Sequence, residues 1–161
     1  MMWPQAARVA LGSVDGSALL KHFTDAVDES SHANGYTETG GGGLEMIGGA
    51  DGIHALLLRS SAEGVLTLFP AWPEGGSAAS FKTLRADGAF LVSASWDGTG
   101  VASPVEVQSE AGRTLSFVNP FKGKVCATML ESGAEVGGGD AGGAVVRVPT
   151  SAGMRYLLSR C

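Results

Sequence analysis

The stretch Asp87-Gly88-Ala89-Phe90-Leu91-Val92-Ser93-Ala94-Ser95-Trp96-Asp97-Gly98 decides the fold class. Between its two Asp-Gly pairs the side chains alternate, with Phe90, Val92, Ala94 and Trp96 on one face and Leu91, Ser93 and Ser95 on the other. A period of two is typical of a strand with one buried face. Asp-Gly is a strong hairpin signal because both residues tolerate positive φ. We therefore predict a strand with a hairpin at each end and with Trp96 packed in the core.

Similar short segments, separated by turn residues, run from residue 65 to the end of the chain. With the central strand at 89–96, the predicted strands are 65–69, 80–85, 105–109, 114–118, 124–130, 144–148 and 154–158. This spacing predicts a mainly β fold, an antiparallel two-sheet β-sandwich of about eight strands.

Ahead of the sandwich the periodicity is helical. Residues 17–28 place Leu19, Leu20, Phe23 and Val27 on one stripe, after the cap-capable Asp15 and Ser17. Residues 51–60 predict a second, short and mostly buried helix, which begins at Asp51 and carries Ile53, Leu56 and Leu57 on one side. We therefore divide the chain into a helical segment, residues 1–62, and a sandwich, residues 63–161.

Glycine punctuates this plan, with 25 residues in 161. The tetraglycine at 40–43 and the glycine-rich tract at 137–143 are predicted to be loops, because glycine offers no side chain to pack and loses much backbone entropy when it is ordered.

Composition limits the function classes. A formal charge of −5 without a Lys/Arg cluster argues against nucleic acid and against a membrane surface as partners. No apolar run approaches the length of a membrane span, and no secretory signal is visible, which leaves the localisation open. Cys126 and Cys161 lack motif spacing, and a bridge would require the C-terminal tail to fold back, so free thiols are expected. No His, Cys or carboxylate spacing predicts a metal or other cofactor.

Three segments resemble a known family. They are Gly48-Gly49-Ala50-Asp51-Gly52-Ile53-His54-Ala55-Leu56-Leu57-Leu58-Arg59-Ser60, then Val65-Leu66-Thr67-Leu68-Phe69-Pro70-Ala71-Trp72-Pro73, then Phe81-Lys82-Thr83-Leu84-Arg85-Ala86-Asp87-Gly88-Ala89-Phe90-Leu91-Val92-Ser93-Ala94. In type and order they are similar to the C-terminal part of glycoside hydrolase family 95, the α-L-fucosidase-type enzymes. The similarity spans about half of the chain, roughly residues 40–120.

The resemblance implies an (α/α)₆ barrel that carries the active site, followed by a β-sandwich packed against it. This chain would hold the last barrel helices and the sandwich, with a helical catalytic domain as partner. The family hydrolyses glycosidic bonds with inversion, which takes two carboxyl groups. Where the family keeps an acidic residue, aligned on Gly48 and Gly49, this sequence has Leu44. Glu45, one position away, is the candidate catalytic carboxylate, against the alternative of a solvated or helix-capping side chain.

Tryptophan offers a second candidate site, because flat aromatic faces stack on sugar rings. Trp72 lies between Pro70 and Pro73 in a predicted loop and is the candidate substrate-binding residue, with core packing as the alternative. Two main functions follow from the sequence, beside a third, an active small glycosidase, which would need two carboxylates in one cleft. One is a non-catalytic C-terminal portion of a glycoside hydrolase, and the other is a stand-alone module that binds carbohydrate or protein.

Overall fold

A computed structural model describes residues 15–30, 33, 51–139 and 142–161. Helix α1 is Gly16–Ser30, and residues 51–57 are helical and are called α2. Ten strands follow in the described residues: β1 Leu58–Ser60, β2 Val65–Leu68, β3 Ala79–Ala86, β4 Phe90–Trp96, β5 Val101–Ser109, β6 Leu115–Val118, β7 Val125–Met129, β8 Glu135–Gly139, β9 Val145–Val148 and β10 Arg155–Arg160.

The strands form two sheets, which confirms the predicted β-sandwich. One sheet has the order β1-β2-β6-β9 and the other the order β3-β4-β5-β10-β7-β8. The ladders are antiparallel except that between β2 and β6, where Val65 pairs with Ser116 in parallel. All eight predicted strands are present, with ends that shift by a few residues.

The central prediction, a strand between two hairpins, is confirmed for β4. Its neighbours β3 and β5 pair with it antiparallel. At the first turn Gly88 and Ala89 both have positive φ, at 84° and 61°, and the pairing of Ala86 with Phe90 leaves residues 87–89 in the loop. Along β4 the side chains of Phe90, Val92 and Ala94 are buried, and they alternate with partly exposed residues.

The core lies between the two sheets and consists of the inward side chains of nearly every strand. Its largest members are Leu58, Leu66, Leu68, Phe69, Phe81, Phe90, Leu115, Phe117, Phe121 and Leu158. Two buried polar side chains are satisfied within it. Asn119 Nδ2 donates to the Gly123 carbonyl at 2.7 Å, and Ser109 Oγ lies 2.7 Å from Thr150 Oγ1.

The second predicted helix was too long. Helix α2 ends at residue 57, and Leu58–Ser60 form strand β1, which pairs with β2. Leu58 lies opposite Leu68 and is only 2% exposed, so the extended conformation places this side chain in the sandwich core. The sheet therefore begins ahead of residue 63.

The prediction of a loop throughout 137–143 was wrong at its start, because Gly137, Gly138 and Gly139 belong to β8. Close approach explains these glycines. A Cβ at Gly139 would lie 2.5 Å from a methyl carbon of Val146 on β9, and a Cβ at Gly138 would collide with the carbonyl oxygen of Val125 on β7. The missing side chains thus let an edge strand of one sheet lie directly on a strand of the other.

The expectation of free thiols was also wrong, because Cys126 and Cys161 form a disulfide. Strand β10 inserts between β5 and β7, so the end of the chain does fold back beside Cys126. Spacing along the sequence could not show this neighbourhood.

We expect Gly138→Ala to lower the free energy of unfolding by about 1–3 kcal/mol, because its Cβ would press on a backbone oxygen that cannot rotate away. Gly100→Ala is the matched control, since a Cβ there meets nothing within 4 Å. Urea denaturation of both variants measures the difference. Equal stability of the two variants would show that β8 does not depend on close contact.

Candidate functional site

Four aromatic rings gather at one end of the sandwich, and we call Phe69, Trp72, Phe81 and Trp96 the aromatic cluster. Phe69 is its centre. The Phe69 ring centroid lies 5.4 Å from that of Phe81, 5.8 Å from that of Trp96 and 6.0 Å from that of Trp72. These separations fall in the range of favourable aromatic pairs. The cluster joins β2, β3 and β4 to the loop that carries Trp72.

Phe69 holds an uncommon backbone conformation. Its φ is +48°, although a bulky residue rarely adopts positive φ and the following Pro70 favours an extended one. Surrounding contacts compensate for this strain. The Phe69 side chain is buried, its N–H donates to the Leu57 carbonyl at 2.8 Å, and its carbonyl accepts from the Trp72 N–H at 3.2 Å. This conformation of Phe69 reverses the chain direction, so that Trp72 packs against Phe69.

Trp72, the candidate sugar-binding residue, is half-buried in this arrangement. Its ring meets Phe69 edge-on, with 78° between the planes, and its Nε1–H donates to the Ser77 carbonyl at 3.1 Å. The indole is thus fixed by two contacts and keeps part of its surface in solvent. Sugar stacking on Trp72 stays a prediction.

Trp96 packs against the sandwich core, which confirms the prediction from alternation along β4. Its Nε1 atom is buried and has no hydrogen-bond acceptor among the described residues. The turn that follows is well ordered by Asp97. Its Oδ1 atom accepts from the Thr99 N–H and Thr99 Oγ1, each at 2.8 Å, and from the Gly100 N–H at 3.1 Å.

The helices meet the sandwich beside this cluster. Leu19 of α1 and Leu56 of α2 are buried together against Ala71, in the same loop as Trp72. Gly16 is required at this junction because a Cβ there would collide with the Ala71 carbonyl oxygen. Asp15 caps α1, as predicted, by accepting from the Ser17 N–H at 3.0 Å.

Only part of the predicted apolar stripes is buried. Leu19 and Leu56 are covered, whereas Ile53 on α2 is 43% exposed. The side chains of Phe23 and Val27, which complete the predicted stripe of α1, lie outside the described part of the chain. Within the described helices, none is long and apolar enough to span a bilayer.

Glu45, the candidate catalytic carboxylate, lies outside the described residues. Among the described carboxyl groups, Glu63, Asp97 and Glu131 have lowered pKa values. The hydrogen bond from Ser61 lowers the pKa of Glu63, and the Thr99 backbone N–H lowers that of Asp97. These three carboxyl groups hold local structure: Glu63 accepts from Ser61, Asp97 accepts from Thr99, and Glu131 pairs with Arg155.

The outer face of the six-stranded sheet carries a shallow depression of about 220 Å³. Ser80, Lys82, Ser93, Ser95 and Glu106 supply its polar groups. Sequence reasoning missed this site, although the alternation along β3 and β4 already put its hydroxyl and ammonium groups on one face. No group of three His, Cys, Asp or Glu side chains in the described residues is arranged to hold a metal ion.

Comparison with known proteins adds no assignment: no protein-family model matches the chain, and no curated protein is significantly similar to it. The resemblance to glycoside hydrolase family 95 therefore rests on the three quoted segments alone.

The Asp97 turn generates a pH prediction. Asp97 has a lowered pKa in the folded protein and returns toward its ordinary value of 3.8 on unfolding. Its hydrogen bonds therefore stabilise the fold above pH 4 and lose that effect as the pH falls through the folded pKa. We expect Thr99→Ala, which removes the hydroxyl donor, to raise the pKa of Asp97 part of the way back. Thr99→Ser should leave it unchanged.

NMR titration of the Asp97 side-chain carboxyl carbon measures this pKa in the native protein and in both variants. Equal Asp97 pKa values in Thr99→Ala and Thr99→Ser would show that the Thr99 hydroxyl does not contribute to the lowered pKa.

Proposed function

We propose that this chain is the non-catalytic, C-terminal β-sandwich portion of a glycoside hydrolase resembling α-L-fucosidases, and that it packs against a helical catalytic domain. The observation that carries the proposal is that the three resembling segments contact one another. Leu56 of the first segment packs against Ala71 of the second. The Phe69 ring of the second segment contacts the Phe81 ring of the third. Ser60 Oγ of the first segment accepts a hydrogen bond from the Asp87 N–H of the third at 3.1 Å.

This mutual packing matters because the resemblance implies helices that pack directly on a sandwich. Here the quoted residues build one junction between helices and sandwich, with the aromatic cluster beneath it. The architecture implied by the resemblance calls for such a junction, since the sandwich there packs against the end of a helical barrel.

The helix side of the junction supports a helical partner. Ile53 exposes an apolar side chain on α2, one turn from the buried Leu56. A further helix packed on α2 would cover it at a gain of about 25 cal/mol for each Å² of apolar surface removed from water. The exposed face of α1 carries charge instead, including the Lys21–Asp25 ion pair at 2.7 Å.

The chemistry of the sandwich supports a non-catalytic role. An inverting glycosidase pairs a carboxylic acid of raised pKa with a carboxylate that activates water. The described carboxyl groups with displaced pKa values are all shifted the other way and are held by hydrogen bonds at the surface.

The alternative is a stand-alone carbohydrate-binding or protein-interaction module. The depression on the six-stranded sheet favours it, because hydroxyl groups and two opposite charges, Lys82 and Glu106, can hydrogen-bond a sugar. Among the described residues that line the depression, Phe81 is the aromatic one, and its ring is buried in the core. A sugar bound there would therefore rely on hydrogen bonds more than on aromatic stacking.

We expect the purified chain to show no turnover of aryl α-L-fucosides or aryl galactosides above a heat-denatured sample. We also expect no heat of binding in calorimetry with fucose- and galactose-containing oligosaccharides. The variants Glu45→Gln and Trp72→Ala should change neither result.

Turnover that Glu45→Gln abolishes would replace the proposal with an active enzyme. Binding that Trp72→Ala abolishes and Trp72→Phe retains would replace it with a sugar-binding module. Binding lost instead in Lys82→Met or Glu106→Gln would assign the sugar to the outer face of the six-stranded sheet.

A further inference from the structure

The disulfide occupies a defined place in the six-stranded sheet. Cys126 lies on β7 between Val125 and Ala127, which point into the core, so Cys126 faces outward. Ser159 of β10 is its ladder partner, and the Cys161 N–H donates to the Lys124 carbonyl at 3.3 Å. The two cysteines are thus diagonal neighbours across one ladder, and their Cα atoms are 5.6 Å apart.

The closed segment crosses both sheets. From Cys126 the chain passes through β8 at the edge of the six-stranded sheet, through β9 in the other sheet, and back to β10 in the middle of the first. The two cysteines are 35 positions apart. A cross-link over a loop of this size removes many conformations from the unfolded chain, and thereby stabilises the folded one.

The link also lies at the end of β10 where one of its two ladders has stopped. The ladder of β10 with β5 reaches Leu158, and the ladder with β7 continues to Arg160. Beyond Leu158, β10 therefore keeps a regular ladder with β7 but has none with β5. The disulfide joins that end to β7.

Both cysteine residues reach the protein surface. Cys161 is exposed and Cys126 is half-buried on the outer face of the sheet. The chain has two cysteines in all, so exchange has a single intramolecular product.

We infer that Cys126 and Cys161 form a reversible staple, closed and opened in the folded protein, which gives the sandwich its full stability in an oxidising compartment. The oxidant is a disulfide, either oxidised glutathione or a disulfide oxidoreductase. One cysteine thiolate attacks it, forms a mixed disulfide and releases one thiol; the second cysteine thiolate attacks the mixed disulfide and releases the other. Two cysteine thiols are oxidised, the oxidant is reduced to two thiols, and the two protons pass to the released thiolates.

This inference does not depend on the proposed function. It is tested by thermal unfolding of the full chain after oxidised glutathione and after dithiothreitol. We expect reduction to lower Tm by roughly 10 °C, from the loop length and the size of the domain. The double variant Cys126→Ser/Cys161→Ser should have the same Tm in both buffers. Two free thiols after oxidised glutathione, or the same Tm for both forms of the native chain, would overturn the staple.

The second arm tests reversibility in the folded state. Maleimide mass shifts follow reduction by dithiothreitol without denaturant and at increasing, still non-denaturing, urea. Reduction at a rate independent of urea is expected, because both cysteines lie at the surface of the folded protein. A reduction rate that rises with urea in parallel with global unfolding would show that the disulfide opens only in the unfolded chain, and would refute the reversible staple.

Discussion

The insertion of β10 between β5 and β7 is the constraint on which the rest of the structure depends. This strand alone joins the β3-β4-β5 meander to the β7-β8 hairpin. Its inward residues Tyr156 and Leu158 are each 1% exposed, and Leu158 pairs with Val105 on one side and Ala127 on the other. The Tyr156 hydroxyl oxygen accepts from the Ser151 N–H at 2.7 Å, which fixes the turn that leads into the strand. Since all these pairings join distant parts of the chain, the sheet is complete only when its last strand arrives.

Local signals were enough to find the eight regular strands, because alternation and turn residues act over a few positions. They failed where tertiary contact decides. Leu58 continues an apolar helical stripe, yet the core takes it into β1. Gly137–Gly139 have no strand propensity, yet their lack of a side chain is what the contact of β8 with β9 requires. Strand order, too, is decided by tertiary contact. A pattern shows which face of a strand is buried but not which strand lies beside it, so neither the parallel β2–β6 pair nor the Cys126–Cys161 bridge could be read from it.

At the candidate site, too, local patterns predicted some features and tertiary contacts decided the others. Trp96 sits on a strand with a clear period, and its inward position was predictable. Trp72 stands in a loop without a period, and its position depends on the positive φ of Phe69, which no sequence rule anticipates before Pro70. The polar depression on the six-stranded sheet needed two strands in register, Ser80 opposite Ser95, before its hydroxyl groups formed a common surface. Glu45 came from the resemblance alone.

The junction between helices and sandwich bears on which role the molecule has. A flexible linker between the helices and the sandwich would let the two move relative to each other. Here helix α2 ends at residue 57 and β1 begins at Leu58, so no linker separates them. The Leu57 carbonyl accepts from the Phe69 N–H, which ties the last turn of the helix to the aromatic cluster. A helix that is continuous with a core strand cannot move without disturbing Phe69. Whatever packs on α2 is therefore held at a fixed orientation to the sandwich, as the proposed structural role requires.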